Sequence, residues 1–103
     1  MKVLLVLTTL PAKAVKGFTN RIIGKKLAAC VSVLPAASLF LWKGKKVRAS
    51  ERLLILKTKP PLRGMLQQEI RRVHPYKVPE LLFLNTEASE AYSCWVCSET
   101  KKV

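Results

Sequence analysis

The feature that most constrains this chain is a pair of long extended stretches separated by only three turn-prone residues. Residues 28–42 read Ala-Ala-Cys-Val-Ser-Val-Leu-Pro-Ala-Ala-Ser-Leu-Phe-Leu-Trp, and a second stretch covers about 46–58, with Leu53-Leu54-Ile55-Leu56 as its apolar centre. Lys43-Gly44-Lys45 between them predicts a hairpin tip. Pro35 lacks the amide proton that a ladder needs, so its strand belongs at an edge, a bend or a bulge. Both strands are longer than a small domain needs. Hairpins that project past their own sheet pair with something, so strand-mediated oligomerisation is expected.

The rest of the chain supplies the sheet beneath that hairpin. Val3-Leu4-Leu5-Val6-Leu7, bounded by Thr8-Thr9-Leu10-Pro11, predicts a buried central strand over 2–9. Pro11 opens a helix at its favoured first position, running to about Lys26 with Val15, Phe18, Ile22 and Leu27 near one face. Gly17 and Gly24 weaken that helix by ~1 kcal/mol each relative to alanine, which predicts close packing against the sheet. Pro60-Pro61 opens a second helix over 61–73, and Leu62, Met65, Leu66, Ile70 and Val73 give it the cleanest apolar spacing in the chain. A fourth strand is expected at 80–85 and a short last helix at about 88–99. With right-handed crossovers this order is an α+β, ferredoxin-like βαββαβ sandwich with a short C-terminal helix. Its 103 residues, 1–103, are expected to form a single domain.

Nineteen basic residues against six acidic ones leave a net charge of +13, spread along the chain rather than gathered in a tail. Such a field attracts polyanions nonspecifically and with strong salt dependence. Specific nucleic-acid reading is not expected, because a ferredoxin-like RNA reader stacks bases on central-strand aromatics. Here the central strands are aliphatic. Three cysteines, Cys30, Cys94 and Cys97, make an odd number with no disulfide framework, which points to a reducing cytoplasm. The apolar start followed by Ala12-Lys13-Ala14 imitates a short signal peptide, but it is barely long enough and is interrupted by Thr8 and Thr9. No run approaches the ~20 apolar residues of a membrane helix.

The stretch His74-Pro75-Tyr76-Lys77-Val78-Pro79-Glu80 joins the second helix to the fourth strand and holds the only histidine. Pro75 drives His74 out of helical backbone space, so the helix stops there and the imidazole is expected to turn outward. Pro79 does the same to Val78 and is expected to launch the strand. No Ser/His/Asp set, glycine-rich phosphate loop or paired carboxylates occur, so no catalytic residues and no enzymatic reaction are expected. Cys94-x-x-Cys97 has redox or half-zinc spacing but lies inside a helical run, which favours two small residues packing one turn apart. Cys30, opening a strand in an apolar setting, reads as a buried thiol. The tryptophans and tyrosines read as core and interface residues.

Several of these pieces together resemble the CutA divalent-cation tolerance family. They are the strand ending Thr8-Thr9-Leu10-Pro11; Leu27-Ala28-Ala29-Cys30-Val31 with Leu34-Pro35; Ser38-Leu39-Phe40-Leu41-Trp42-Lys43-Gly44-Lys45; Leu56-Lys57-Thr58; the His74 stretch; and Tyr92-x-x-Trp95. The resemblance implies a tight homotrimer of ferredoxin-like subunits joined through the long hairpins, with an architecture similar to that of PII signalling proteins. It also implies a role in tolerance of divalent cations, copper among them, without an established reaction. The chain departs from the family pattern at particular positions. Lys77 stands where Glu or Gln is common, Phe40 where Tyr is usual, and Asn85 where a proline follows the last strand. The hairpin, commonly acidic after its glycine, reads Lys45-Lys46-Val47-Arg48. Thr8 and Val73 stand where a bacterial relative has a proposed copper-ligating cysteine and a second histidine.

His74 is then the candidate metal ligand, for Cu(II) or another divalent cation. One imidazole is not a site, but a trimer would bring Cys30, Trp42, Lys57, His74 and Tyr76 to inter-subunit clefts. The competing reading is a PII-like trimeric scaffold. Its basic clefts, with Lys57, Arg71, Arg72 and Lys77, would take an anionic small molecule or a protein partner.

Overall fold

A strand apolar on both sides can only be central, and β1 (Lys2–Leu10) lies between β3 (Lys45–Thr58) and β4 (Leu82–Glu87). The computed structural model describes all 103 residues. Between those strands run α1 (Ala12–Gly24), β2 (Cys30–Trp42), a 3-10 turn (Pro60–Leu62) and α2 (Arg63–Val73), and α3 (Glu90–Ser98) ends the order. The result is a mixed α+β fold with one antiparallel four-stranded sheet, ordered β2-β3-β1-β4. Pro35 indeed sits on an edge strand, β2, opposite Arg52.

Alternation along the strands sorts side chains into two faces. Leu4, Val6 and Leu10 of β1 join Leu54 and Leu56 of β3 on the face covered by Phe18 and Ile22 of α1 and Leu66 and Ile70 of α2. Each such side chain contributes roughly 1.5–3 kcal/mol by leaving water. The opposite face carries Leu5, Leu7, Leu53 and Ile55, and α1 and α2 do not cover it. Val3, at one end of that face, is buried, as is Val96 of α3, which packs against β1 and β3. Farther along, Leu34, Leu82 and Leu84 are 43%, 51% and 47% exposed.

The hairpin outruns its support. The β1–β3 ladder ends at Leu10 opposite Arg52, while β2 and β3 stay paired to Trp42 opposite Lys45. Residues 36–51 therefore form a two-stranded arm, and the molecule measures 45 × 24 × 21 Å. Lys43 and Gly44 both have positive φ, 50° and 78°. That is the pattern of a type I′ turn, whose twist matches the flanking strands.

Several expectations need correction. Pro11 is the N-cap rather than the first helical residue of α1. A Cβ added at Gly17 or Gly24 would meet nothing within 4 Å, so neither glycine marks a close approach to the sheet. The Pro60-Pro61 pair starts a 3-10 turn, and α2 proper begins at Arg63. The fourth strand begins at Leu82, not at residue 80, because the chain must first clear the end of β1.

α1 and α2 are tied by one carboxylate. Glu69, only 8% exposed, accepts from Arg21, from Lys25 at 3.2 Å and from Arg72 at 2.8 Å. The Arg21 hydrogen bond leads the causes that hold its pKa down at about 2, against the raising effect of desolvation. A depressed carboxyl pKa stabilises the fold above the unfolded value of 4.5. The contribution is lost as pH falls from there towards about 2. Thermal melts of wild type and Glu69→Gln from pH 7 to pH 2 should show the variant less stable at neutral pH and the two converging across that acid window.

A candidate functional site at the end of the central strand

The connection from α2 to β4 has to cross the end of β1, and His74 is placed there. Its backbone is extended, with φ −72° and ψ 133°, as the following proline requires. The side chain does not turn outward. His74 is 9% exposed, and its Nε2 lies 2.8 Å from the Thr9 carbonyl and 3.1 Å from Thr8 Oγ1. Its Nδ1 is 3.1 Å from the Tyr76 backbone nitrogen, which can only donate. Nδ1 is therefore the acceptor and Nε2 carries the proton, donated to the Thr9 carbonyl. Desolvation leads the causes that push the His74 pKa below its ordinary 6.5, while the Thr9 carbonyl and the charge of Glu51 oppose it. His74 is neutral at pH 7.

Two residues later the chain is on the other side of the sheet. Thr8 pairs with Leu54 and shares the helix-covered face, whereas alternation puts Glu51 on the face of Leu53 and Ile55. The Tyr76 hydroxyl donates to Glu51 Oε2 at 2.7 Å, and its ring is tilted against His74 with centroids 5.0 Å apart. Desolvation, then the Glu51 hydrogen bond, pushes the Tyr76 pKa up to about 12. Glu51 is 6% exposed, so this phenol is what satisfies a buried carboxylate. Beyond it, running along the arm from Glu51 at the root to Trp42 near the tip, lies an apolar groove of about 450 Å³, lined by Phe40, Trp42, Val47, Tyr76 and Val78 among others.

The expected cleft residues divide into two groups within the chain. Trp42 and Tyr76 line that groove, and His74 lies just behind it. Cys30 and Lys57 face each other at the opposite end of β2, roughly 40 Å from Trp42 along an extended strand and roughly 20 Å from Ala36, which pairs with Tyr76's partner Glu51. There Lys57 Nζ lies 3.7 Å from Cys30 Sγ and also donates to Ser32 Oγ. Cys30 is half-buried rather than buried. Glu51 was not among the sequence candidates. Nothing in its local sequence marks it, because only the register of β3 against β1 brings it to Tyr76. No group of three or more histidine, cysteine or acidic side chains suited to a metal occurs in the chain.

Residues 4–99 match the family described as CutA1 divalent ion tolerance protein. The chain belongs to that family. It is 38% identical over 93 residues to protein CutA of Mus musculus, covering 88% of this chain and 52% of the mouse protein, so it spans about half that relative's length. Among solved structures, CutA1 from Oryza sativa superposes with a TM-score of 0.93 at 33% identity, covering 100% of this chain and 97% of that one. The PII-like protein CutA from Nostoc sp. PCC 7120 gives 0.91 at 28% identity, covering 98% of each chain. The CutA fold is thus kept in a chain that carries lysine at position 77 and threonine at position 8.

Tyr76→Phe tests the phenol alone, since the ring and its packing remain. Leaving Glu51 without its donor should cost about 1–3 kcal/mol in chemical denaturation at pH 7. A variant as stable as wild type would contradict the assignment of Glu51's partner.

Proposed function

We propose that this chain acts in divalent-cation tolerance as the subunit of a cytoplasmic homotrimer, catalysing no reaction and binding copper ahead of other divalent ions. The observation that carries the trimer is the apolar sheet face around Leu34, Leu82 and Leu84, continuous with an arm that exposes Leu39, Phe40, Leu41 and Trp42. A surface of that kind is an interaction site rather than a solvated face. Family membership supports the cation role.

The ion's anchor in this reading is His74 Nδ1. Metal-ligating histidines donate their other ring N–H to a carbonyl or carboxylate, which fixes the tautomer. His74 already donates Nε2–H to the Thr9 carbonyl, so only the Tyr76 amide has to yield Nδ1. Glu51 is the nearby acid that would offset the ion's charge, and neighbouring subunits would complete the shell. Among common divalent ions Cu(II) binds such nitrogen and oxygen donors most tightly.

A second reading has its own observation. Lys25, Lys26, Arg72 and Lys101 surround a cleft of about 660 Å³ whose one acid, Glu69, is already taken up by three cations. An anion there would bind in a salt-dependent way.

Calorimetric titration with Cu(II) of the Cys94→Ser/Cys97→Ser chain, which lacks the exposed thiols that would themselves take up copper, tests the copper reading, beside the same chain carrying His74→Gln, which keeps an amide N–H for Thr9 but has no imidazole. Saturable binding near one ion per subunit is expected, lost in the variant and weakening only at pH below the ordinary histidine value, because the His74 pKa is depressed. Sedimentation of the same sample should give three times the 11.6 kDa chain mass. Copper binding unchanged in a folded His74→Gln variant would refute the anchor, and a monomer would refute the assembly.

A further inference from the structure

The Cys94-x-x-Cys97 pair does not pack into the core as its sequence setting suggests. In α3 the inward positions are Ser93 and Val96, and both cysteines are free and exposed on the adjoining face. Residues three apart on a helix hold their Cβ atoms about 5–6 Å from each other. A disulfide needs Cβ atoms about 3.5–4.5 Å apart, so closing one would distort the helix. Two metal–sulfur bonds of about 2.3 Å, laid end to end, put the sulfurs about 4.6 Å apart, which the helix spacing accommodates. Zinc would need four ligands, and no third metal-binding side chain completes a group here.

The pair also has a fixed cation beside it. Lys59 Nζ lies 3.9 Å from Cys97 Sγ and 3.4 Å from the Cys97 carbonyl, near the C-terminal end of α3. That end of a helix carries partial negative charge and disfavours thiolates. A lysine held there offsets the penalty and would balance the net −1 charge of a monovalent ion bound by two thiolates.

We infer that Cys94 and Cys97 form a two-coordinate site for a soft monovalent ion, of which Cu(I) and Ag(I) are the types. Thiolates select such ions over the oxygen-seeking divalent ones. On binding, both thiols release their protons, two sulfur–metal bonds form, and the metal keeps its oxidation state. The site is separate from His74, and its fate is independent of the copper(II) reading.

The test is an anaerobic titration of the reduced full chain with Cu(I) in competition with bicinchoninate, with proton release followed in weak buffer. One ion per chain and two protons per ion are expected. Cys94→Ser and Cys97→Ser should each weaken binding beyond the roughly 10–100-fold that loss of an outer supporting group costs. Cys30→Ser and His74→Gln should leave it intact. Full Cu(I) retention in the Cys94→Ser/Cys97→Ser double variant, or loss on removing Cys30 alone, would overturn the assignment. Ag(I) titration of the same variants gives the parallel result with an ion that does not change oxidation state.

Discussion

The central position of β1 forces the last crossover to pass over its end, and the His74 imidazole fixes where it passes. β1 is paired on both edges, so the path from α2 to β4 must go around Thr8, Thr9 and Leu10. A backbone turning there leaves polar groups with few neighbours, and buried polar groups must be paired. His74 resolves this from both sides, donating to the Thr9 carbonyl and accepting from the Tyr76 amide. Two prolines flank the turn and limit its alternatives. Tyr76 is delivered to Glu51 as a consequence, and the groove along the arm takes its shape.

That arrangement couples the core to the exposed apolar surface of the arm. Thr8 lies among buried residues at the sheet centre, while Tyr76 and Val78 line the groove with Phe40 and Trp42. The five residues from His74 to Val78 therefore connect the packed interior to the exposed arm. An ion that displaced the Tyr76 amide from Nδ1 would disturb the groove as well as the ring. Cation binding and assembly would then be linked through one joint, in the sense that each shifts the other.

Much of the fold was legible because the local signals agreed. The five-residue apolar run of β1, the hairpin tip at Lys43-Gly44 and the spacing of Leu62, Leu66 and Ile70 each have a single good structural solution. Pro35 declared its edge position through a missing donor. Element ends were less legible, since the shift of β4 to Leu82 follows from the length of the path around β1, which no residue encodes locally. The site was half legible. His74-Pro75-Tyr76 announced a rigid joint, but proline fixes only the backbone and not the direction of the imidazole. The inward direction depends on the Thr9 carbonyl, far away in sequence, and Glu51 enters only through the register of β3 with β1. The cysteines of α3 were misplaced for a similar reason, because the helix phase is set by Ser93 and Val96 meeting the sheet.

The most direct measurement of this account is the nitrogen-15 and proton spectrum of the His74 ring, followed through pH in the native protein. The account predicts a neutral imidazole at pH 7, protonated on Nε2, with a slowly exchanging Nε2 proton and a titration midpoint below the ordinary value of about 6.5. A ring that is already an imidazolium at pH 7, or protonated on Nδ1, or freely exchanging with water, would contradict it. The joint would then be held by something other than His74.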